Sequence, residues 1–537
     1  MTRQRSLRIR WRADPVLVGL SALCVGVVGV TVAIPAIRTV ALASRPFASR
    51  APWNGETMAA MMRSDRFIQS LLFSLSQVIV SATLVTLGAA AGGLGLATLT
   101  ARYRWAVHAV VVSPFFMPST VIGTLVASMI APHAGVTSLF IRMVFANAWF
   151  NLGMGAMLVA THLRSMPREV DEVAEIAAPA QRARIRLRFC LPALKSVWLL
   201  VWVLSFTNFG VARTLGAPAN RSLEIDLWSS WSQQLDLARS LSNALIQSCV
   251  IAVFVFGMTR NGRSWPTARP HALARLGRSV MGWVMILFAL GGAPLVLTLA
   301  RLVREVWVDG DGWQPVANHL STTIDMRSAL TNSMGGAVMA ALAATGVGLA
   351  VALVHRLAKP SGTQMARFIL VVGWISPLVL GLGLSVGWAG TALDLRGRWI
   401  SVPVAQFVAL VSFCVVRMIA SMERVDRSLL EVASTAGLGS LKTIGRVIVP
   451  ILRPELVRTA ALAGVIAVGE YSVSSFVVQG SIPTMAAAVV RLGARPGSLQ
   501  EAARDVVIAG LAALSLIVVA LSFGQTRTAS EPRQEIT

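Results

Sequence analysis

The residues of this chain that could do chemistry are few and scattered. The six histidines are dispersed without the spacing of a metal site. No loop gathers a Ser/His/Asp set or a pair of carboxylates that could act as general acid and base. Segment 437–443 imitates part of a phosphate-binding loop, but Leu441 occupies a glycine position and no strand precedes it. We therefore predict no enzyme activity, no metal and no bound cofactor for this chain.

One ionisable residue lies in apolar surroundings. Glu470 falls in the apolar run 460–478, beside Tyr471. A carboxylate within a bilayer is costly and usually faces a cavity or a partner. Three interpretations stay open. Glu470, Tyr471 and the polar residue Asn208 line a translocation path, where a carboxylate favours a cation; or they make internal hydrogen bonds that fix helix packing; or they lie at the lipid interface.

The elements that must position these residues are apolar. Of the 537 residues, 55% are hydrophobic and only 13% are charged, and the mean hydropathy is +0.68. Soluble domains carry about 25% charged residues, so the composition excludes an ordinary soluble enzyme. Because backbone groups in hydrocarbon must be hydrogen-bonded internally, the spanning segments are predicted to be helices. The fold class is therefore all-α integral membrane protein.

Twelve apolar runs have the length of about 20 residues that a transmembrane helix needs. They lie near residues 16–37, 68–99, 106–131, 136–163, 193–212, 241–258, 279–303, 329–354, 366–393, 400–421, 457–478 and 506–524. The first run is longer than the apolar core of a signal peptide, so we interpret it as a retained helix. The glycines at 381, 383 and 387 lie in one of these runs, where small residues permit close helix packing.

Loop charge predicts the direction of the spans. With the N-terminus inside, the cytoplasmic segments hold most of the 48 Lys and Arg residues, whereas the 24 acidic residues divide almost evenly between the two sides. This asymmetry follows the positive-inside rule and predicts that both termini are cytoplasmic. Membrane orientation then explains the net charge of +24, and no nucleic-acid partner is expected.

The two halves of the chain repeat one another at a spacing of about 259 residues. The corresponding segments are 172–174 with 431–433, 191–192 with 449–450, Ser74 with Ser333, and Asn208 with Glu470. Their shared order and nearly constant spacing indicate a tandem duplication, with two six-helix halves.

The repeat and the loops divide the chain into five parts. An N-terminal tail, the first helix and an external segment occupy 1–69, and the first half occupies 70–258. A linker with a basic cytoplasmic segment, the seventh helix and an external loop occupies 259–328. The second half occupies 329–522, and a cytoplasmic tail occupies 523–537.

Two long cytoplasmic loops, 164–192 and 422–450, follow the fourth helix of each half. In the second loop, residues 428–436 favour a short helix, Gly437 supplies an unhindered turn, and Pro450 marks the junction with the next span. A helix–turn–helix at the cytoplasmic surface of the membrane is a rigid projection to which another protein can bind. The alternative is that these basic loops lie on lipid headgroups, and for the arginines between 182 and 188 lipid contact is at least as well supported as protein docking.

The second loop resembles the EAA motif of binding-protein-dependent ABC importer permeases. The matching residues are Glu431, Ala433, Gly437 and Pro450 in the second loop, and Glu172, Ala174 and Pro192 in the first. In the first loop Ala178 stands at the glycine position, and Pro179 follows it. With two fused halves, the chain is similar to the tandem ferric iron and thiamine transport permeases. The resemblance covers roughly 70–258 and 329–522 and implies the type I ABC importer permease fold.

The resemblance also implies the partners. Each loop would form a coupling helix that docks on a cytoplasmic ABC ATPase, present in two copies, which hydrolyses the ATP. An extracytoplasmic substrate-binding protein would deliver a small cationic solute at the outer face of the cytoplasmic (inner) membrane. Selectivity in this family belongs mainly to the binding protein, so the resemblance does not distinguish ferric iron from thiamine.

The alternative function is a twelve-helix secondary transporter driven by an ion gradient. Such proteins usually keep charged signature residues in the loop between helices two and three. Here that loop is only residues 101–105, and the elaborate pattern lies in the loops after the fourth helices. The loop pattern therefore favours the ABC permease.

Overall fold

The computed structural model describes residues 14–46, 51–99, 101–130, 135–215, 222–259, 278–308, 310, 312–358, 361–478, 482–495 and 497–530. Within these ranges helix is the only regular secondary structure, which confirms the all-helical prediction. The first five arginines, most of the basic linker 259–278 and the end of the C-terminal tail lie outside the described residues.

The helices of the first part of the chain lead up to residue 259. They are α1 (Pro15–Ala43, with a π-helical turn at Gly29–Ala33), α2 (Gly55–Arg63), α3 (Asp65–Ala97), α4 (Ala101–Phe116), α5 (Ser119–Met129), α6 (Val136–Arg164), α7 (Arg168–Ile176), α8 (Pro179–Phe206), α9 (Phe209–Leu215), α10 (Leu223–Ser232) and α11 (Leu237–Thr259).

The remaining helices begin at residue 278. They are α12 (Arg278–Val303), α13 (Trp313–Thr323), α14 (Met326–Leu357), α15 (Ser361–Val372), α16 (Pro377–Gly387), α17 (Ser401–Glu423), α18 (Arg427–Thr435), α19 (Ser440–Thr443), α20 (Val449–Val468), α21 (Ser474–Val477), α22 (Met485–Gly493) and α23 (Ser498–Ser530).

In the described part of the chain, nine helices are long and apolar enough to cross a membrane: α1, α3, α6, α8, α11, α12, α14, α17 and α23. Two further pairs, α4 with α5 and α15 with α16, are bent by 87° and 88° and are either broken spans or re-entrant loops. Nine to eleven spans fit a multi-pass membrane protein, but they are fewer than the twelve predicted.

The run predicted at 457–478 contains no candidate span among the described residues, which leaves eleven of the twelve when each bent pair counts as one span. Helix α20 starts earlier than this run, ends at Val468, and carries Arg453, Glu455 and Arg458. Three charged side chains in a short helix are costly in hydrocarbon, so α20 lacks the apolar length of a span. Glu470 consequently lies beyond the end of this helix and not within a continuous apolar one.

The junction predicted at Pro450 is a continuous helix. Helix α19 passes through a π-helical turn, Ile444–Ile448, directly into α20, where Pro450 lies in the first turn. Proline has no N–H and its ring crowds the preceding turn. A π-helical turn is a common way for a helix to accommodate a missing hydrogen bond and local crowding without ending.

The internal repeat reappears as equivalent contacts. Ser74 Oγ accepts a hydrogen bond from the backbone N–H of Leu223 at 2.9 Å, and Ser333 Oγ accepts one from the N–H of Met485 at 2.9 Å. Leu223 and Met485 begin the short helices α10 and α22. The two serines paired by sequence therefore hold the first turn of corresponding helices.

The contacts divide the chain into two units that do not follow chain order. Unit 1 comprises Met1–Trp53 and Met326–Met485, and unit 2 comprises Asn54–Asp325 and Ala486–Thr537. In unit 1, α1 packs against α14 and α16; in unit 2, α12 and α23 pack against α4. The first helix of the chain thus packs with helices that follow residue 325, and α12 packs with helices that precede it.

Small residues permit close packing in unit 1, as predicted. A side chain at Gly387 would collide with the carbonyl oxygen of Pro35 in α1. A Cβ at Gly381 would lie 2.8 Å from the carbonyl oxygen of Val473. Glycine therefore lets α1 and the chain around Val473 approach the backbone of α16. Gly383 has no such contact, since the nearest atom to its Cβ position is 4.0 Å away.

Candidate functional site

The first of the two loops contains α7, which has two distinct faces. Asp171 and Ala174, one helical turn apart, are buried. Glu172 and Val173 point outward, and the side chain of Ile176 is 88% exposed. The helix therefore rests on unit 2 by one face and presents an acidic and apolar face outward.

A buried ion pair ties α7 to α8. Arg186 Nη2 lies 2.9 Å from Asp171 Oδ1, and the two side chains are only 2% and 8% exposed. A charge buried to this extent needs its partner, because the unpaired group would remain desolvated. Arg186 and Asp171 therefore fix the angle at which α7 meets the following helix.

A second arginine closes the C-terminal end of α7. Arg182 Nε donates a hydrogen bond to the carbonyl of Ala174 at 3.0 Å, and its Nη2 also donates to the carbonyls of Glu175 and Ala177. These are carbonyls that have no partner within the helix. The chain then turns at Ala178, which is exposed and extended, and Pro179 occupies the first position of α8, where no N–H is needed.

The arginine run of this loop consequently divides into two sets. Arg182 and Arg186 are engaged with α7, whereas Arg184 and Arg188 are exposed. Only the second pair is open to lipid or protein. Pro192, the last residue of the motif in this loop, lies inside α8 and is half-buried.

The second loop contains α18, which repeats the pattern of α7. Leu430 and Ala433 are buried, and Leu430 belongs to a core formed by α14, α17 and α20. Glu431 is exposed, and Val432 is 64% exposed. Ala433 is the repeat equivalent of Ala174, and Glu431 is the equivalent of Glu172, so the residues matched in sequence occupy matched faces.

Gly437 ends α18 in the conformation expected of it. Its φ is +73°, in the left-handed region. The N–H of Leu438 donates to the carbonyl of Ala433 at 3.1 Å, and the N–H of Ala436 donates to that of Val432 at 2.9 Å. Glycine tolerates this turn without the strain that a Cβ would bring.

The second loop is also attached to the first helix of the chain. Asp14 caps α1, because its Oδ1 accepts a hydrogen bond from the N–H of Val16 at 2.9 Å. Its other oxygen, Oδ2, accepts a hydrogen bond from Ser440 Oγ at the start of α19. The start of α1 and the turn that follows α18 are thus linked within unit 1.

Asn208 occupies a break between α8 and α9 and belongs to a buried chain of amides. Asn208 Nδ2 donates to Asn147 Oδ1 at 2.9 Å, and Asn147 Nδ2 donates to Gln77 Oε1 at 3.0 Å. Gln77 Nε2 donates to the carbonyl of Ser205 at 3.4 Å. Asn208 Oδ1 accepts from the N–H of Val211 at 3.3 Å. The amides join α3, α6 and the end of α8.

Glu470 occupies the equivalent break, between α20 and α21. Its Oε1 accepts a hydrogen bond from the N–H of Val473 at 2.6 Å. Its Oε2 accepts from the N–H of Ser474 at 3.1 Å and from Ser474 Oγ at 2.6 Å. Tyr471, next to it, is half-buried. The bond of Asn208 to Asn147 joins two helices, as the packing interpretation expects, whereas the bonds of Glu470 stay within the turn that leads into α21. The translocation path stays a prediction for both residues.

Sequence reasoning did not identify the buried amides Gln77 and Asn147 or the ion pair between Asp171 and Arg186. A usable signal existed for the amides, since each lies in an otherwise apolar run, where a polar side chain is expensive. In the second half, Gln406 Nε2 donates to the carbonyl of Ala467 at 2.9 Å, so an amide again holds the helix end before the break.

No protein-family model, no curated protein and no solved structure matches the chain. Its function is therefore inferred from the residues and contacts described above.

Proposed function

We propose that this chain is the permease subunit of an ATP-driven, binding-protein-dependent ABC importer. It would move a small cationic solute, of the ferric iron or thiamine class, across the cytoplasmic membrane. A separate ATPase, in two copies, would hydrolyse ATP in the cytoplasm, and an extracytoplasmic binding protein would deliver the solute. The observation that carries the proposal is the matched pair of helices α7 and α18, each with a buried Ala and an exposed Glu-Val pair.

The outward faces of α7 and α18 suit a protein partner. Val173 is 55% exposed and Ile176 is 88% exposed on α7, and Val432 is 64% exposed on α18. Apolar side chains beside a carboxylate, in loops predicted to face water, are typical of a docking surface. The small buried residues Ala174 and Ala433 let each helix lie close to its own unit.

The attachments of the two helices support the transmission of force. Movement of α7 would pass to α8 through the ion pair of Asp171 with Arg186 and the cap made by Arg182. Movement of α18 would pass to α1 through Ser440 and Asp14. In the proposed mechanism, closure of the ATPase on ATP shifts both helices and alternates access to the solute path.

The test is ATP-dependent uptake together with retention of the ATPase. The chain is co-expressed with a candidate ABC ATPase and a candidate binding protein from the same organism, and Glu172→Lys and Glu431→Lys are introduced singly. We expect each charge reversal to lower uptake at least tenfold and to weaken co-purification of the ATPase. Reversing a charge within an interface brings like charges together or leaves a buried charge unpaired, and either weakens binding of the partner. Glu423→Lys, an exposed residue outside both helices, is the matched control and should change uptake less than twofold.

Two results would contradict the proposal. The first is a chain that never retains an ATPase and tolerates both reversals. The second is solute accumulation that continues without the ATPase and collapses when the ion gradient is dissipated, which would favour the secondary transporter.

The cationic substrate class rests on Glu470, which would line the path with Asn208 and Tyr471. Glu470→Gln keeps an oxygen that can accept the N–H of Val473, so the fold should survive while the charge is lost. We expect uptake of the cation to fall at least tenfold. Ser474→Ala removes a hydrogen bond to Glu470 without a charge change and should leave uptake within twofold. Unchanged uptake in Glu470→Gln would show that Glu470 does not line the translocation path.

A further inference from the structure

Three arginines converge on one carboxylate where α17 packs against α20. Glu455 Oε1 lies 2.7 Å from Arg458 Nη1 and 3.8 Å from Arg424 Nη1. Glu455 Oε2 lies 3.6 Å from Arg417 Nη2. Three guanidinium groups share a single carboxylate, so this cluster, the Glu455 cluster, has a net charge of +2.

Arg417 is held in place by further contacts, and the cluster remains accessible. Arg417 Nε donates a hydrogen bond to Thr459 Oγ1 at 3.3 Å, and its guanidinium lies 5.9 Å from the centre of the Phe413 ring. The side chain of Arg417 is 29% exposed and that of Arg424 is 77% exposed. The site is therefore prepared for an additional negative charge and can be reached from outside the protein.

The position along the helices indicates the depth of the cluster. Arg417 lies six residues before Glu423, the last residue of α17, which corresponds to about 9 Å of helix rise. Arg424 follows directly after the helix end. Long arginine side chains at the end of an apolar helix extend towards the headgroup region. Because α17 is a candidate span, its charged end is expected at the depth of the lipid phosphates.

We propose that the Glu455 cluster binds the phosphate of an anionic phospholipid. Guanidinium groups match phosphate oxygens in geometry as well as charge. Basic residues at the end of a spanning helix such as α17 are a recognised setting for anionic headgroups. In the first half, the position equivalent to Arg417 is Leu158, so the first half does not repeat this arginine. Because α18 begins shortly after Arg424, the bound lipid would stabilise the N-terminal end of this helix. The inference does not depend on the importer assignment.

The experiment measures binding of fluorescent phosphatidylglycerol to the purified full-length chain in neutral detergent micelles. Arg424→Gln should weaken binding about fivefold, the effect of roughly one basic residue at a membrane surface. Arg446→Gln is the matched control, since Arg446 is exposed in the same loop but is outside the cluster. It should change the affinity less than twofold. Equal losses in both variants would indicate non-specific charge attraction and would overturn the proposal.

Glu455→Gln distinguishes a lipid site from a purely structural ion cluster. Loss of the carboxylate raises the net charge of the cluster and releases its arginines, so phosphatidylglycerol should bind about fivefold more tightly. Unchanged or weaker binding, with an unchanged thermal midpoint that shows the variant is folded, would refute the site.

The source of the phosphate is tested in the same assay. Phosphatidylcholine should compete poorly, because its headgroup has no net charge, and millimolar inorganic phosphate should not displace the lipid. Complete displacement by inorganic phosphate, with no preference for phosphatidylglycerol, would identify a site for a soluble anion and would overturn the lipid proposal.

Discussion

At the scale of the residue, the pairing of Asp171 with Arg186 is the contact that most constrains the first loop. Both side chains are almost fully buried, and they join two helices that meet at Ala178. Such a pair contributes little net stability compared with apolar residues of the same shape, but its rupture is costly, since one charge is left without a partner. The pair therefore acts mainly to define the position of α7.

Arg186→Met should lower the stability of the protein strongly. The carboxylate of Asp171 would stay buried without the charge of Arg186, at a cost of about 3–5 kcal/mol. The double variant with Asp171→Leu should recover most of that loss, because it leaves no isolated charge. Thermal unfolding of the purified protein measures the effect, and Arg184→Met, at an exposed position of the same run, is the control. A double variant as unstable as the single one would show that the charges are not coupled.

At the scale of the element, α7 and α18 are equivalent helices with different C-terminal ends. Arg182 closes α7, whereas Gly437 closes α18 with a left-handed turn. This explains why Ala178 can stand where the second loop has glycine: the first loop turns through extended backbone before Pro179 and needs no positive φ. The first loop can therefore have Ala178 at the glycine position, because the side chain of Arg182 binds the last carbonyls of α7.

Gly437→Ala should loosen the end of α18. A non-glycine residue in the left-handed region costs about 1–2 kcal/mol, and Asn is the best-tolerated substitute. Amide exchange within α18 should accelerate about tenfold in Gly437→Ala and less in Gly437→Asn. Gly445→Ala is the matched control, because Gly445 has space for a Cβ and no positive φ. Equal exchange rates in the Gly437 and Gly445 variants would contradict the role of the turn.

At the scale of the whole molecule, the number of spans between α7 and α18 along the chain decides whether the two helices share one side of the membrane. If the bent pair α15–α16 crosses, six spans separate them and both helices lie on one side. If that pair is re-entrant, the number is five and they lie on opposite sides. The importer proposal requires the first arrangement.

Cysteine labelling tests this arrangement. Glu172→Cys and Glu431→Cys are made in a Cys249→Ser background, since the other three cysteines are buried. A membrane-impermeant maleimide should label both positions only after the cells are permeabilised. Leu393→Cys, at the predicted outer end of the span 366–393, should be labelled in intact cells and controls for access. Labelling of 172 or 431 from outside would rule out coupling to a cytoplasmic ATPase.

Much of this protein is determined by its sequence alone, because the relevant signals are local. Apolar length sets the positions of the spanning helices, and the repeat predicts that Ser74 and Ser333 are equivalent. The turn at Gly437 follows from the conformational freedom of glycine. An apolar run overestimates the length of a helix when the helix ends inside the run, as α20 does at Val468. The hydropathy of the run is an average that does not register the break.

Only the tertiary structure decides which distant residues meet. It pairs Arg186 with Asp171, gathers three arginines around Glu455, and hydrogen-bonds Glu470 to the backbone of its own turn. It also packs α1 with helices that begin more than 280 residues later in the chain. The partner of a buried charge or of an apolar helix face is chosen by geometry in three dimensions, which the periodicity of a single segment does not specify.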